Sequence, residues 1–414
     1  MFTGCSAICD NASKECNLVQ TATLLTLAPT AIALALYLVL MVTFGVTLRR
    51  NRRTSNSPEL GRAPRVTIFK PLAGADDELA DNLESFAAID YPAFEILLGV
   101  ASIEDAATPI ARAFLRKHPK LQGQLVVTDS DAAHNPKVAQ LLSLSARATG
   151  EVLVISDSNV RVQPTYLWSL VRALEEPGVG LVTSVFAGTG ERSVGAALEN
   201  LQLGGFTAPG IVASLKLLSR PLTVGKSMAM RRRDVVCMGA FHAVKGVLAE
   251  DHLLGKLFLD AGYAVRTSLE AVENRNVHCS VRRTVERHTR WAKMRRSIAP
   301  IKFALEPLLS PLTIASLVAV VVETRAAVAA VLLTAIVQTA IAFLSVWFLR
   351  GRSLAWYYAP LEIVRSYLSL VCWARAWCSR RIVWRGHAFL LSRDSAIVPA
   401  PPGSWTRLVD AVRA

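Results

Sequence analysis

Two isolated carboxylate sites stand upstream of a cationic segment tipped by an aromatic ring. In order they are Asp157, then Glu250-Asp251, then Arg287-His288-Thr289-Arg290-Trp291, which starts 36 positions after Asp251. Those residue types suit sugar transfer from a nucleotide. A carboxylate at Asp157 can hold Mg²⁺ or Mn²⁺ beside a diphosphate, and Glu250-Asp251 can take the proton of an attacking hydroxyl. Arg287, Arg290 and Trp291 fall at i, i+3 and i+4, one face of a helix if the segment is helical. Guanidinium forks suit phosphate oxygens, and an indole can floor a sugar or a lipid path. Each piece also has a plain structural alternative. Asp157-Ser158-Asn159 can be an Asx turn, and Glu250-Asp251 a helix start favoured by the macrodipole. Arg282, Arg283, Lys293, Arg295 and Arg296 would suit a basic helix beside a membrane, with Trp291 at the interface.

Two further lysines stand in suggestive settings. Asn135-Pro136-Lys137 precedes a helical pattern, so Lys137 can reach a phosphate. Gly225-Lys226-Ser227 looks like the end of a phosphate loop, but Arg220 occupies the place of its first glycine, which excludes a nucleoside triphosphatase of that kind. Seven histidines without paired spacing argue against a zinc enzyme.

The elements that must position these groups follow from hydrophobic periodicity. Residues 65–69 alternate into Lys70-Pro71, a first strand ended by a turn. Apolar spacing predicts helices at 78–86, 109–117 and 138–148, and strands at 94–100, 125–128 and 151–156, the last closing on Asp157. Strand–helix alternation over 65–160 predicts right-handed βαβ units and a largely parallel sheet. Ligands bind at the carboxyl ends of such strands, where Asp157 lies. After 165 the pattern loosens into helices and short strands around Gly-rich turns, as an acceptor-side half would.

Apolar residues make up 52% of the 414, and the mean hydropathy of +0.35 is high for a wholly soluble protein. The excess is localised. Residues 21–48 carry no charge, enough for a helix crossing a bilayer core of ~30 Å. Arg49, Arg50, Arg52 and Arg53 follow that run rather than precede it, which argues for a retained anchor over a signal peptide. They also place 49–63, a basic polar linker, in the cytoplasm, with the short tail 1–20 (Cys5, Cys9 and Cys16) outside. Cys237, Cys279, Cys372 and Cys378 lack metal-ligand spacing, and the main domain is expected in a reduced compartment. The catalytic domain is expected at 64–302. Uncharged runs at 308–322 and 326–349 predict a membrane helical hairpin within 303–352. In 353–414, the stretch 354–373 contains Glu362 and Arg365 and is expected to be interfacial or re-entrant, followed by a basic tail. The net charge of +14 concentrates beside these runs and in 275–302, which suits anionic headgroups and a diphosphate better than nucleic acid. The Arg- and Ala-rich composition leans bacterial, hence inner membrane with a cytoplasmic catalytic domain.

Five motifs, taken in order, resemble the ceramide glucosyltransferase family over about 65–300. They are Phe69-Lys70-Pro71-Leu72-x-Gly74, Asn135-Pro136-Lys137-Val138, Asp157-Ser158-x-x-Arg161-Val162, Ala249-Glu250-Asp251 and Arg287-x-x-Arg290-Trp291. Trp384-Arg385-Gly386 and the membrane runs fit too. The resemblance implies an α/β, A-type glycosyltransferase fold, a UDP-sugar donor, a Mg²⁺ or Mn²⁺ ion, a membrane-lipid acceptor and inversion at the anomeric carbon. Carried over by position, Asp157 is the nucleotide and metal aspartate, with Asn159, Lys137, Ser102, Glu104, Asp105, Lys70 and Pro71 around the donor. Asp251, with Glu250, is the catalytic base; Arg287, Arg290 and Trp291 close over diphosphate and acceptor. Arg287 stands where processive polysaccharide synthases usually have Gln. Two positions depart from the family. Ser102 stands where a first aspartate is expected, with Glu104 or Asp105 as substitutes, and Thr207 stands where a histidine is expected. The implied reaction is transfer of glucose from UDP-glucose to the primary hydroxyl of ceramide. One rival uses UDP-N-acetylglucosamine and a hopanoid or other polyprenoid lipid. A rival of another class, motivated by Ser102 and Thr207, is an inactive lipid-binding scaffold.

Overall fold

Strands and helices alternate from Val66 onward into one eight-stranded sheet. The strands are β1 (Val66–Pro71), β2 (Phe94–Val100), β3 (Gln122–Val127), β4 (Val152–Ser156), β5 (Val160–Arg161), β6 (Val179–Thr189), β7 (Ser227–Arg231) and β8 (Ala264–Arg275), in the spatial order β3-β2-β1-β4-β7-β6-β8-β5. The computed structural model describes residues 27–51, 63–75, 78–384 and 387–400. The tail 1–20 with its three cysteines, most of the linker, Arg385-Gly386 and the chain beyond 400 lie outside the described residues.

The expected parallel half is present: β3, β2, β1 and β4 run parallel. β7 then enters antiparallel between β4 and β6, so the second half is mixed. Strands alternate their side chains between faces, and here both faces are covered, as a parallel sheet requires. Ile68, Ile96, Leu98, Val152 and Val154 face one buried cluster, shared with Leu83, Phe114 and Leu170 of the covering helices. Phe69, Leu97, Leu153, Ile155 and Met228 face the other, shared with Leu141, Leu254 and Phe258. Two-sided burial explains why these strands are mainly apolar in the sequence.

The helix Leu27–Asn51 docks by its last turns: Phe44 and Leu48 pack with Leu349, Ala208 and, on β6, Val185 and Ala187. Arg325–Arg350, at 26 residues, spans ~39 Å at 1.5 Å per residue, more than a bilayer core. Its hairpin partner Pro311–Val322 has only 12 residues, too short to cross. Leu312 N–H donates to Gln338 across the pair (3.2 Å). The helix Leu361–Cys378 carries Glu362 and Arg365 buried, bonded to Gln338 and Gln202 respectively. Its charges thus turn toward protein, the arrangement expected of a segment that does not cross lipid alone.

Periodicity did not reveal a third long apolar helix, Val194–Leu218, also long and apolar enough to cross a membrane. Glu199, Asn200 and Gln202 interrupt its hydropathy. A π-helical turn at Leu203–Thr207 brings Gly204 and Gly205 against Val346 and Ala342, where a Cβ would lie 2.8 and 3.2 Å from the neighbouring side chain. Thr207 sits in that turn with its hydroxyl donating to Gln202 O (3.0 Å).

Candidate active site

Asp157 follows β4 directly, and the antiparallel β4–β7 pairing, with Ser156 opposite Ser227, brings Lys226 beside it. Lys137 arrives from another direction, in the first turn of the helix Pro136–Ser145. Asn135 starts that helix, its side-chain oxygen accepting from Lys137 N–H (2.9 Å) and Val138 N–H (3.3 Å), an N-cap backed by a proline at the first helical position. The Asn135 amide nitrogen donates to Val247 O (2.8 Å) and Glu250 Oε2 (3.3 Å). One buried asparagine therefore ties the lysine helix to the start of Glu250–Asp260.

The outcome is a compact charge cluster. Lys137 Nζ lies 2.8 Å from Asp157 Oδ1 and 2.9 Å from Glu250 Oε1, and donates to Gly225 O (3.1 Å). Lys226 Nζ lies 3.0 Å from Asp157 Oδ2 and donates to Asn159 Oδ1 (3.0 Å). Asp251 Oδ2 accepts from Gly225 N–H (2.7 Å). Space at Gly225 is tight: a Cβ there would meet Lys137 Nζ at 3.0 Å and Asp251 Oδ2 at 3.2 Å, so a side chain would have to push both charged groups aside. Burial pushes the Asp157 carboxyl up, but Lys137 and Lys226 override it and hold the group well below the usual carboxylate range. Asp157 is thus ionised at any physiological pH. Burial also penalises the Lys137 ammonium, yet Asp157 and Glu250 keep it firmly charged. Glu250 goes the other way: burial raises it, Lys137 offsets this in part, and the adjacent Asp251 adds to the rise.

The expected donor residues divide in two groups. Lys137, Asp157 and Asn159 meet in the cluster, joined by Glu250 and Asp251. Lys70 and Pro71 are buried in β1. The Lys70 ammonium donates to Asp157 O (2.5 Å), Val160 O (3.1 Å) and Ser156 Oγ (3.3 Å) and lies 4.0 Å from the Phe86 ring centroid. Lys70, expected at the donor, shapes the backbone that presents Asp157. At the end of β2, Asp105 Oδ1 accepts from Gly74 N–H (2.9 Å) and Ala107 N–H (2.8 Å), fixing the loop after β1. Ser102 accepts from Glu104 N–H, and both side chains are exposed at the rim. Lys226, quoted above only within the rejected phosphate loop and absent from the five ordered motifs, is the site residue that sequence reading missed. Only the strand pairing brings it to Asp157, 69 positions away in the chain.

The arginine motif lies on a helix, Val281–Ile298, which meets the condition for Arg287, Arg290 and Trp291 to share one face. Arg287 Nη1 meets Glu199 Oε1 (2.9 Å) and Asn276 Oδ1 (3.1 Å), while His288 Nε2 meets Glu199 Oε2 (3.0 Å). Trp291 is half-buried, packed on the first core cluster and edge-on to His288.

A small C-terminal sheet braces both motif-bearing helices. Its strands are β9 (Arg381–Trp384), β10 (His387–Leu391) and β11 (Ile397–Pro399). Lys293 of the arginine helix donates to Arg381 O (2.7 Å), and Met294 packs with Leu248, Ile382 and Phe389. At the other end, Leu248 N–H donates to Ser395 O (2.8 Å) and Ala249 N–H to Ser395 Oγ (3.2 Å), immediately before Glu250. Asp394 and Ser395 hold φ of 54° and 60° to make this turn, a left-handed conformation that costs on the order of 1–3 kcal/mol per non-glycine residue. Ser395→Ala leaves a buried N–H unpaired at the start of the carboxylate helix, a loss of about 1–3 kcal/mol. Its kcat should fall with KM nearly unchanged; an unaltered kcat and melting temperature would remove Ser395 from this role.

Among the described residues no group of three or more His, Cys, Asp or Glu side chains is arranged to hold a metal ion. One carboxylate and the Asn159 amide oxygen fit a cation only in the way Mg²⁺ is usually bound, with phosphate oxygens and water completing the shell.

The glycosyl transferase family 21 model matches residues 28–397. Ceramide glucosyltransferase 3 of Caenorhabditis elegans is 24% identical over 292 residues, covering 70% of this chain and 63% of the relative. Ceramide glucosyltransferase 1 of the same organism is 26% identical over 275 residues, covering 66% and 58%. The chain therefore spans about three-fifths of the length of these relatives. Among solved structures, a mannosyltransferase from Pyrobaculum calidifontis, in complex with GDP-Man and Mn²⁺, is 19% identical with a TM-score of 0.44, covering 84% of this chain and 97% of its own.

Proposed function

Because the chain belongs to glycosyl transferase family 21, we propose that it is a membrane-bound, inverting hexosyltransferase that moves a sugar from a UDP-sugar to a lipid hydroxyl. In its finer form the reading is glucose from UDP-glucose to the primary hydroxyl of ceramide. The observation that supports it most is the cluster around Gly225, where two ammonium groups and three carboxylates meet beside β4.

Each residue then has a task. Lys137 and Lys226 carry the fixed positive charge that a diphosphate needs, in a half-buried place where charge–charge terms are stronger than in water. Asp157 orients both. Asp157 and Asn159 would hold a divalent cation, which when bound would screen charge on the departing diphosphate. Glu250 is committed to Lys137 and Asn135, leaving Asp251, which is partly open to solvent, as the base. Asp251 takes the hydroxyl proton as that oxygen bonds to C1 and the bond from C1 to the diphosphate breaks on the opposite face. Arg287 is held by Glu199 and Asn276, and that anchorage sets where Arg290 and Trp291 stand on the next turn. The helices Leu27–Asn51 and Arg325–Arg350, each long and apolar enough to cross a membrane, would anchor the chain, with Val194–Leu218 packed beside the second of them. The domain boundaries given above, the cytoplasmic side and a bacterial inner membrane belong to the same proposal.

The test is transfer of radiolabel from UDP-glucose and UDP-N-acetylglucosamine into added ceramide or hopanoid, using membranes with and without the protein. Labelled glucosylceramide supports the finer reading. Label from UDP-N-acetylglucosamine in the hopanoid would replace both substrates while keeping the reaction class. No label from any pair, with the protein present in the membranes, would favour the lipid-binding scaffold.

A further inference from the structure

Lys226 lies outside all five ordered motifs, yet its ammonium meets Asp157 Oδ2 and Asn159 Oδ1, each at 3.0 Å, with its side chain only 17% exposed. Lys137 takes the other oxygen, Oδ1. Both oxygens of the carboxylate that would hold a cation are therefore already matched to ammonium groups. Two positions further on, Asn159 offers a neutral amide oxygen, so no second carboxylate in that turn draws a divalent ion in. An ion at Asp157 with Lys226 in place would sit close to a like charge in a half-buried setting, where repulsion is weakly screened.

We propose that Lys226 stands in for the divalent cation at Asp157. It competes with the ion for that carboxylate and neutralises the donor diphosphate when no ion is bound. The proposal rests on the UDP-sugar reading above. Lysine suits the task because its compact ammonium sits on a flexible four-carbon stem. On donor binding it exchanges an Asp157 oxygen for a phosphate oxygen while Asn159 retains it. Donor binding should then tolerate removal of divalent ions.

The test measures UDP binding to the full-length protein in detergent by calorimetry, with EDTA or with Mn²⁺, and Mn²⁺ binding by electron paramagnetic resonance with UDP present. For the wild type, EDTA should weaken UDP binding by less than about tenfold. Lys226→Met should bind UDP about tenfold more weakly in EDTA, yet bind Mn²⁺ about tenfold more tightly in the presence of UDP. These opposite signs separate competition from a merely structural role, which would lower both affinities together. Unchanged or weaker Mn²⁺ binding in Lys226→Met would overturn the proposal. So would a wild type whose UDP binding collapses by more than about a hundredfold in EDTA, a result that needs no variant. A wild type that binds no UDP in either buffer overturns the donor assignment itself, and the role of Lys226 with it.

Discussion

Asp251→Asn should lose sugar transfer almost completely, with kcat down about 10²–10⁴-fold, the usual contribution of a positioned general base. The substitution is nearly isosteric and keeps an oxygen to accept from Gly225 N–H, the contact that holds Asp251 at 2.7 Å. Lys137 makes its ion pairs with Asp157 and Glu250 without a direct contact from that side chain, so UDP affinity should stay within a fewfold of wild type. Glu250→Gln makes the complementary case. Glu250 sits 2.9 Å from Lys137 and is buried, so its loss should weaken UDP binding first. Purified variants assayed for initial rate and for UDP binding separate the two. If Asp251→Asn kept more than about a tenth of wild-type kcat, the base would have to be another group.

Glu199→Ala should have the largest structural effect. Glu199 is fully buried and receives both Arg287 and His288. Removing this buried carboxylate takes an ion-pair partner from the partly buried Arg287 guanidinium, and breaking a buried pair typically costs about 3–5 kcal/mol. The damage should not stay local. Glu199 lies on Val194–Leu218, whose later turns pack against the helix Arg325–Arg350 through Gly204 and Gly205. Through Glu199, this apolar helix is tied directly to the helix that bears Arg290 and Trp291. The expected result is a marked fall in thermal stability in detergent together with loss of transfer. Glu199→Gln, which keeps an acceptor for Arg287, should recover most of the stability. Equal stability of Glu199→Ala and wild type would mean that the remaining contacts, Asn276 among them, suffice to hold Arg287.

Much of the fold was legible because the parallel half is built from local signals. The strand expected at 94–100 is found at those residues, and those expected at 65–69 and 151–156 shift by one or two positions. Each is a mainly apolar stretch bounded by turn residues, as two-sided burial favours. The helical face of Arg287, Arg290 and Trp291 was likewise legible, since i, i+3, i+4 spacing is a property of the chain itself. Less legible was Val194–Leu218, where the buried polar residues that fasten the helix to the domain also mask its apolar character. Lys70 illustrates a different limit. The resemblance places this lysine at the donor, and nothing local in the chain shows that its ammonium is enclosed by three oxygens and the Phe86 ring.

By itself, then, the sequence determined the α/β class, the apolar anchors, the helical face of the arginine motif, and Asp157, Lys137, Glu250 and Asp251 as the residues to watch. Periodicity, capping and charge spacing are set by covalent neighbours, so they survive without a fold. Tertiary structure alone decided which groups share one space: Lys226 across the β4–β7 pairing, Glu199 under Arg287, and Ser395 beneath the helix that starts at Glu250. These contacts join residues 69, 88 and 145 or more positions apart. They follow from strand register and helix packing, which depend on the whole core rather than on any local run of residues.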